Sequence, residues 1–156
     1  MSDVQTGHEK TLTALLPALA GANLIYGLGM VESGMTFDFG QLVIDNEFAK
    51  MIRYVLGGIP VNDETLAVDV TKDVGPFKDF LSHPATYKHM RIQSQPKIIN
   101  RQGIDRWMAD GSKTMYEKAI IEAQNILENH QPDPLPRGVK EQLRKIVRDA
   151  EKEKQM

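Results

Sequence analysis

Apolar residues recur at helical spacing in the first part of the chain. Leucines at positions 12, 15, 16 and 19 share one helical face. Thr6-x-x-Glu9 has the form of a capping box, and Gly21 is placed to end the helix. Pro17 lies inside the pattern, so we expect this helix to be kinked or short.

A second helix is predicted to begin at Asp38-Phe-Gly-Gln41, which again has capping-box form, with Phe37 and Leu42 spaced for a hydrophobic staple. It should end at Gly57-Gly58, before Pro60. Its apolar positions cover most of its surface, which predicts packing on more than one side. The polar positions 45–47 are expected to interact favourably with the helix N-terminus.

The remaining chain predicts further helices separated by breaks. Short helices are expected after the cap at Asn62 and after Pro84, and an extended connector over residues 96–103. A long helix should begin near Ser112, and three prolines between residues 132 and 136 should end it. Pro136 suits the first position of a last helix. The apolar stripes of these two helices comprise Tyr116, Ala119, Ile120, Ala123 and Leu127, and then Val139, Leu143, Ile146, Val147 and Ala150.

One segment predicts a strand. The apolar run Asn23 to Leu28 favours a strand buried on both faces. A loop with glycines at 27, 29 and 34 follows, and then the second helix, so the order is that of one β/α unit. Ligands bind at the loops that follow the strands of parallel β/α folds. Because a single strand needs hydrogen-bonding neighbours, we expect these to belong to polypeptide outside this chain. The predicted fold class is therefore mainly α, with a fragment of an α/β architecture.

Composition excludes only a few classes of function. The net charge of −2 and the ordinary balance of 41% hydrophobic and 26% charged residues favour neither nucleic acid nor an anionic membrane as a partner. Without cysteine the chain has no disulfide or thiolate chemistry, which fits a reducing cytoplasm. The polar start does not resemble a signal peptide, and no apolar run reaches the roughly 18 residues of a membrane span.

Several short motifs, in order along most of the chain, resemble the C-terminal part of the trimethylamine methyltransferase family, the corrinoid-dependent enzymes of MttB type. They are Gly21-Ala-Asn-Leu-Ile-Tyr26, Gly29-Met-x-Glu-Ser-Gly-Met35, Gln41-Leu-Val-Ile-Asp45, Asn62-Asp-Glu-Thr-Leu66, Leu81-x-His83, Lys88-His-Met-Arg91 and His130-Gln-Pro-x-Pro134.

The resemblance implies a (β/α)8 TIM barrel much longer than this chain, with residues 1–60 as its last β/α portion and residues 61–156 as a helical C-terminal extension. It implies transfer of a methyl group, in methanogenesis and related metabolism, from a methylated amine such as trimethylamine or glycine betaine. The acceptor is a corrinoid (cobalamin) carried by a partner protein. The trimethylamine enzymes use a pyrrolysine that lies before the matched region, and many relatives lack it. Without the other strands, we expect the isolated chain to be inactive.

The loop Gly29 to Thr36 is the predicted substrate site. The resemblance implies that Glu32 and Ser33 face the barrel mouth, where the negative charge of a carboxylate would balance the positive charge of the amine. Tyr26, Phe37 or Phe39 could offer aromatic faces to methylammonium groups. The alternative is that Glu32 caps a helix or binds loop amides. A dinucleotide fingerprint is excluded, because Glu32 occupies the third glycine position.

Two histidines are secondary candidates. His83 and His89 could line a substrate entrance of the complete enzyme. Alternatively, His83 caps the turn before Pro84, and His89 packs or bonds a backbone carbonyl. Their spacing of six does not place both on one helical face, so no metal site is predicted.

A different class of function stays open. The apolar stripes of the last two helices, and the strand edge at residues 23–28, would also suit a non-catalytic helical interaction or dimerisation module, acting as a homo-oligomer. The last helix carries seven basic and four acidic residues between positions 137 and 154. This charge suits a solvated face or a docking surface for an acidic partner.

Overall fold

The computed structural model describes residues 2–154 and is mainly helical. Within that range it has eight α-helices, one 3₁₀ turn and a two-stranded antiparallel sheet. The helices are α1 Val4–Leu19, α2 Phe39–Leu56, α3 Asp63–Leu66, α4 Val68–Val74, α5 Pro84–His89, α6 Ile104–Ala109, α7 Met115–Asn129 and α8 Val139–Lys154; the strands are β1 Met30–Val31 and β2 Thr36–Phe37, with the 3₁₀ turn Glu32–Gly34 between them.

The chain divides into two compact units within α7, one ending at Gln124 and the other beginning at Asn125. The predicted division at residue 60, between a barrel portion and an extension, concerns a different partition and stays a prediction.

Helix α1 begins earlier than its capping-box pattern indicated. The carboxylate of Asp3, not a Thr6 cap, closes the N-terminus by accepting from the Thr6 N–H at 3.1 Å. Pro17 falls in the last turn, and the helix continues through it to Leu19. The proline therefore does not shorten the helix, which reaches the last leucine of the pattern, and α1 packs against α2.

The strand predicted at Asn23–Leu28 is wrong for this structure. The segment has no regular secondary structure, and Leu24 and Tyr26 are 79% and 83% exposed rather than buried on both faces. The physical reason is that a strand forms only when a neighbouring strand accepts and donates its backbone hydrogen bonds. Within residues 2–154, the only strand pair assigned is β1 with β2.

Helix α2 begins and ends where predicted. Asp38 caps it by accepting from the Gln41 N–H at 2.8 Å, and Gly57 follows its last residue. The box is not closed, however, because the Gln41 side chain turns inward and donates to Asp45 at 2.6 Å. As predicted, α2 packs on more than one side: α1 lies against it, and Ile44 joins a core cluster with Ile98 and Ala119.

The contact between α2 and α7 depends on a glycine. Gly40 is buried, and a Cβ at this position would lie 2.7 Å from Ile120 Cδ1 and 2.9 Å from Tyr116 Cε2. The Tyr116 hydroxyl also donates to the Asp38 carboxylate at 2.7 Å. Glycine thus permits the close approach that lets one residue of α7 bind the cap of α2.

The middle of the chain contains the short helices that its caps predicted. Asn62 and Thr65 form a reciprocal capping box at α3, and Ala67, in a left-handed conformation, separates α3 from α4. Pro84 begins α5, as expected. Residues 96–103 connect without helix or strand, but they bend at positions 97–99 and 102 and so are not extended throughout, contrary to the prediction. Helix α6 was not predicted from the sequence.

Helix α8 begins at Val139 and not at Pro136. The Pro136 carbonyl accepts from the Val139 N–H at 3.1 Å, so the proline forms the turn that precedes the helix. The side chains of Leu143, Ile146 and Val147 are exposed.

Candidate functional site

The loop between Gly29 and Asp38 is a short hairpin. Met30 pairs with Phe37, and Val31 with Thr36. Gly29, at its base, is buried with φ +78°, and a Cβ there would lie 2.7 Å from the Phe37 ring. The Gly29 carbonyl accepts from the Asp38 N–H at 2.9 Å. The base of the hairpin is therefore attached directly to the capping residue of α2.

The predicted site residues Glu32 and Ser33 lie together at the exposed tip of this hairpin. Both have φ near +53°, the left-handed region that side chains other than glycine rarely adopt. Each such residue costs about 1–2 kcal/mol. Backbone strain of this kind concentrates at functional sites, where surrounding structure maintains it. The Glu32 carboxylate accepts from the Thr36 hydroxyl at 2.7 Å.

Tyr26 lies elsewhere. It lines an open groove of about 710 Å³ between α1, α2 and the irregular segment 22–28. Lys10, Asp45 and Arg53 supply polar groups to this groove, and the apolar lining includes Phe48 and Ile52. The structure therefore brings Glu32 and Ser33 together, and it places Tyr26 in the neighbouring groove.

Two aromatic rings flank the hairpin. Phe37 and Phe39 form an edge-to-face pair with centroids 5.3 Å apart and planes at 86°. Both side chains are about half exposed, at 52% and 51%. Both rings are thus partly open to solvent. In the sequence they directly precede and follow Asp38, the residue that caps α2.

A buried carboxylate for which the sequence predicted no role in the site lies at the base of the hairpin. Asp45 accepts three hydrogen bonds: from Lys10 Nζ at 2.5 Å, the Gly29 N–H at 2.8 Å and Gln41 Nε2 at 2.6 Å. It thereby joins α1, the hairpin and α2. All three donors stabilise the carboxylate through specific contacts, and the expected interaction of residues 45–47 with the helix N-terminus stays a prediction.

Glu47 is the second of these acids. Its side chain is 2% exposed and accepts from the Lys97 N–H at 2.6 Å and from Lys50 Nζ at 3.2 Å. Burial opposes ionisation, but these hydrogen bonds outweigh it and hold the pKa of Glu47 below its ordinary value. Glu47 thus secures the irregular connector against α2.

The same balance acts at the cap of α2. Burial opposes ionisation of Asp38, yet the hydrogen bonds from the Gln41 N–H and the Tyr116 hydroxyl lower its pKa. The bond to this carboxylate, together with burial, raises the pKa of Tyr116.

The two histidines bind carboxylates on neighbouring short helices. His83 caps α5, its Nδ1 accepting from the Ala85 N–H at 3.1 Å, as the capping alternative predicts, while its Nε2 lies 3.2 Å from Asp73. His89 does not bond a backbone carbonyl in the described contacts; its Nε2 lies 3.2 Å from Glu64. Lys88 also binds Glu64, and this hydrogen bond is the largest cause of the lowered pKa of Glu64. A role in lining an entrance stays a prediction for both histidines.

Two other kinds of feature are absent from the part of the chain that the structure describes. No cluster of three or more histidine, aspartate or glutamate side chains is arranged to hold a metal ion in residues 2–154. Over the same residues, no helix combines the length and the apolar character needed to cross a bilayer.

Comparison with known proteins agrees with the motifs. The family described as trimethylamine methyltransferase (MTTB) matches residues 1–155, and the chain belongs to this family. Trimethylamine methyltransferase MttB of Desulfitobacterium hafniense is 53% identical over 97% of this chain and 30% of its own length. A trimethylamine methyltransferase of Methanosarcina mazei is 46% identical over 96% of this chain and 30% of its own.

A further relative carries a different name. A glycine betaine methyltransferase of Desulfitobacterium hafniense is 28% identical over 97% of this chain and 32% of that protein. The chain spans only about 30% of the length of the trimethylamine methyltransferases that it matches.

Proposed function

We propose that this chain forms the C-terminal part of a trimethylamine methyltransferase that moves a methyl group from trimethylamine to a corrinoid protein. One observation carries the choice of substrate: identity is 53% to a protein named for trimethylamine and 28% to one named for glycine betaine, each over 97% of the chain. The corrinoid, held on its own protein, would supply the cobalt that accepts the methyl group, and dimethylamine would be the leaving group. The residues of this chain hold and orient the amine.

The exposed surface supports a role within a larger protein. The accessible surface is 13258 Å² for 17.5 kDa. A folded monomer of this mass exposes about 8,000 Å², and two separate units divided at residue 124 expose about 9,000 Å² together. The excess includes the apolar side chains of Leu24 and Ile25. We propose that residues 23–28 pair as a strand of a (β/α)8 barrel completed by further polypeptide, and that the isolated chain does not turn over.

The hairpin supplies the proposed amine site. Glu32 offers a carboxylate to the cationic amine, and Ser33 offers a hydroxyl. From the neighbouring groove, Tyr26 offers an aromatic face. The strained backbone of the tip supports the assignment of Glu32 and Ser33. For Tyr26, the support is its ring, which is 83% exposed and lines the groove beside α1 and α2.

A hybrid enzyme tests the proposal. In the Desulfitobacterium hafniense trimethylamine methyltransferase, the matching segment is replaced by this chain, and methylation of the reduced corrinoid protein is followed by its absorbance. The hybrid should turn over trimethylamine in preference to glycine betaine, and the isolated chain should not. A folded hybrid without activity, or with a preference for glycine betaine, would contradict the proposal.

Within the hybrid, Glu32→Gln should raise KM for trimethylamine about tenfold, since a charged hydrogen bond contributes about 1.5 kcal/mol or more. Glu128→Gln, which removes an exposed acid on α7, is the matched control and should leave KM unchanged. Equal KM values in the two variants would exclude Glu32 from the amine site.

The exposed stripe of α8 favours a second candidate, the helical interaction module. Leu143, Ile146 and Val147 are 49%, 65% and 57% exposed on one helix. A module of this kind should give one defined oligomer in gel filtration with light scattering. Leu143→Lys should convert that oligomer to a monomer. A polydisperse chain, unaffected by this change, would favour the methyltransferase part instead.

A further inference from the structure

We propose that Asp45 is a positioning residue for the amine-binding hairpin, and that Lys10 supplies the charge that keeps its carboxylate in place. This inference rests on the proposed function for its consequence in catalysis. The underlying contact, however, can be tested in the chain alone.

The first step of the argument is the convergence of donors on Asp45. The residue is 6% exposed, and its three partners come from three different parts of the fold: Lys10 on α1, Gly29 in the loop and Gln41 on α2. A buried carboxylate is stable only when it is paired and hydrogen-bonded. Lys10 provides the pairing, and the two amide donors complete the coordination of both oxygens.

The orientation of Gln41 shows which interaction dominates. A carboxylate only accepts hydrogen bonds, so Gln41 must present its NH₂ group to Asp45. Its Oε1 is then left buried without a hydrogen-bond partner among the described residues. An unpaired buried acceptor costs about 1–3 kcal/mol. The hydrogen bond from Gln41 to Asp45 therefore forms although it leaves Gln41 Oε1 unpaired among the described residues.

The second step is the effect of Asp45 on the hairpin. Gly29 is fixed at both of its polar groups: its N–H by Asp45 and its carbonyl by the Asp38 N–H. No residue with a side chain fits in place of Gly29, because its Cβ would clash with Phe37 and Leu42. The strained residues Glu32 and Ser33 follow three and four positions later. Their direction is set at this base, since the hairpin has only two paired positions on each strand.

Glu47 provides a natural comparison on the same helix. It too is buried, binds a lysine and accepts from a backbone N–H, yet that N–H belongs to Lys97 in the connector. Loss of either carboxylate should destabilise the fold. Only the loss of Asp45 should release the hairpin.

The first experiment uses the whole chain and hydrogen exchange of its backbone amides. In the unaltered chain the Gly29 amide should be protected, and an unprotected Gly29 amide would overturn the proposal without any variant. Asp45→Ala should speed exchange in residues 29–36 about tenfold more than elsewhere. Asp45→Asn should largely restore protection, because its amide oxygen can still accept from Gly29. Glu47→Ala should speed exchange near residues 97–98 and leave the hairpin unchanged.

The second experiment measures KM and kcat in the hybrid enzyme defined above. A purely structural loss lowers the amount of folded enzyme, and hence the apparent kcat, without changing KM. A displaced hairpin should instead raise KM for trimethylamine about tenfold in Asp45→Ala, because small misplacements of binding groups have large effects. Unchanged KM in an active hybrid would refute the positioning role. An inactive hybrid with normal Gly29 protection would refute the proposed function and leave the contact established.

Discussion

The contact between α2 and α7 can be tested by adding one methyl group. Gly40→Ala places a Cβ 2.7 Å from Ile120 Cδ1, 2.9 Å from the Tyr116 ring and 3.2 Å from Asp38 Oδ1. The Ile120 atom is the end of a flexible side chain and can move. The Tyr116 ring cannot move freely, since its hydroxyl is bound to Asp38.

The expected magnitude follows from two opposing effects. Alanine gains about 1 kcal/mol over glycine in helix propensity. Overpacking costs about 1–3 kcal/mol, and a weakened hydrogen bond to the Asp38 carboxylate about 1.5–3 kcal/mol more. The variant should therefore be less stable than the unaltered chain by about 1.5–5 kcal/mol.

The assay is urea unfolding followed by far-ultraviolet circular dichroism. Gly7→Ala is the matched control, because Gly7 also lies inside a helix but its added Cβ would meet only Phe48 Cζ, at 3.9 Å. That variant should gain about 0.5–1 kcal/mol. If Gly40→Ala were as stable as Gly7→Ala, the close approach of α7 to α2 would be refuted.

Three further predictions concern hydrogen bonds and charge. Folding lowers the pKa values of Asp38 and Glu47, so their contribution to stability should be complete above about pH 4.5. It should be lost as the pH falls through the pKa values of the folded state. In acid titrations of unfolding, Glu47→Gln should make stability depend less on pH. Tyr116→Phe should cost about 1.5–3 kcal/mol in urea unfolding, whereas Tyr87→Phe, at a 78% exposed position, should cost nothing measurable. Asn62→Ala should speed amide exchange within α3 by an amount equivalent to about 1 kcal/mol, and unchanged exchange there would argue against the capping box.

The local signals of the sequence were sufficient for most helices. The start of α2 at Asp38, the box at α3 and the cap at His83 depend on hydrogen bonds between residues two or three apart. Such contacts form wherever the chain enters a helix, so their spacing in the sequence predicts them. The family motifs in the sequence were likewise sufficient for membership, which the comparison confirms.

Other features depend on partners distant in the chain. The run Asn23–Leu28 has the composition of a strand, but strand formation requires a neighbour that residues 2–154 do not provide. The left-handed backbone of Glu32 and Ser33 follows from the closure of the hairpin and not from their own preferences.

Asp45 and Glu47 illustrate the same limit at the level of side chains. In the sequence they are two acids near a helix N-terminus, for which interaction with the helix dipole is the ordinary expectation. In the fold both acids are buried. Each carboxylate, once removed from water, must be paired with a cation and accept from an N–H elsewhere in the fold. The sequence by itself determined most of the helices, the caps of α2, α3 and α5, and the family, since these depend on neighbouring residues. Only the tertiary structure decided which acids support the hairpin and the connector, since that depends on which distant groups share a buried space.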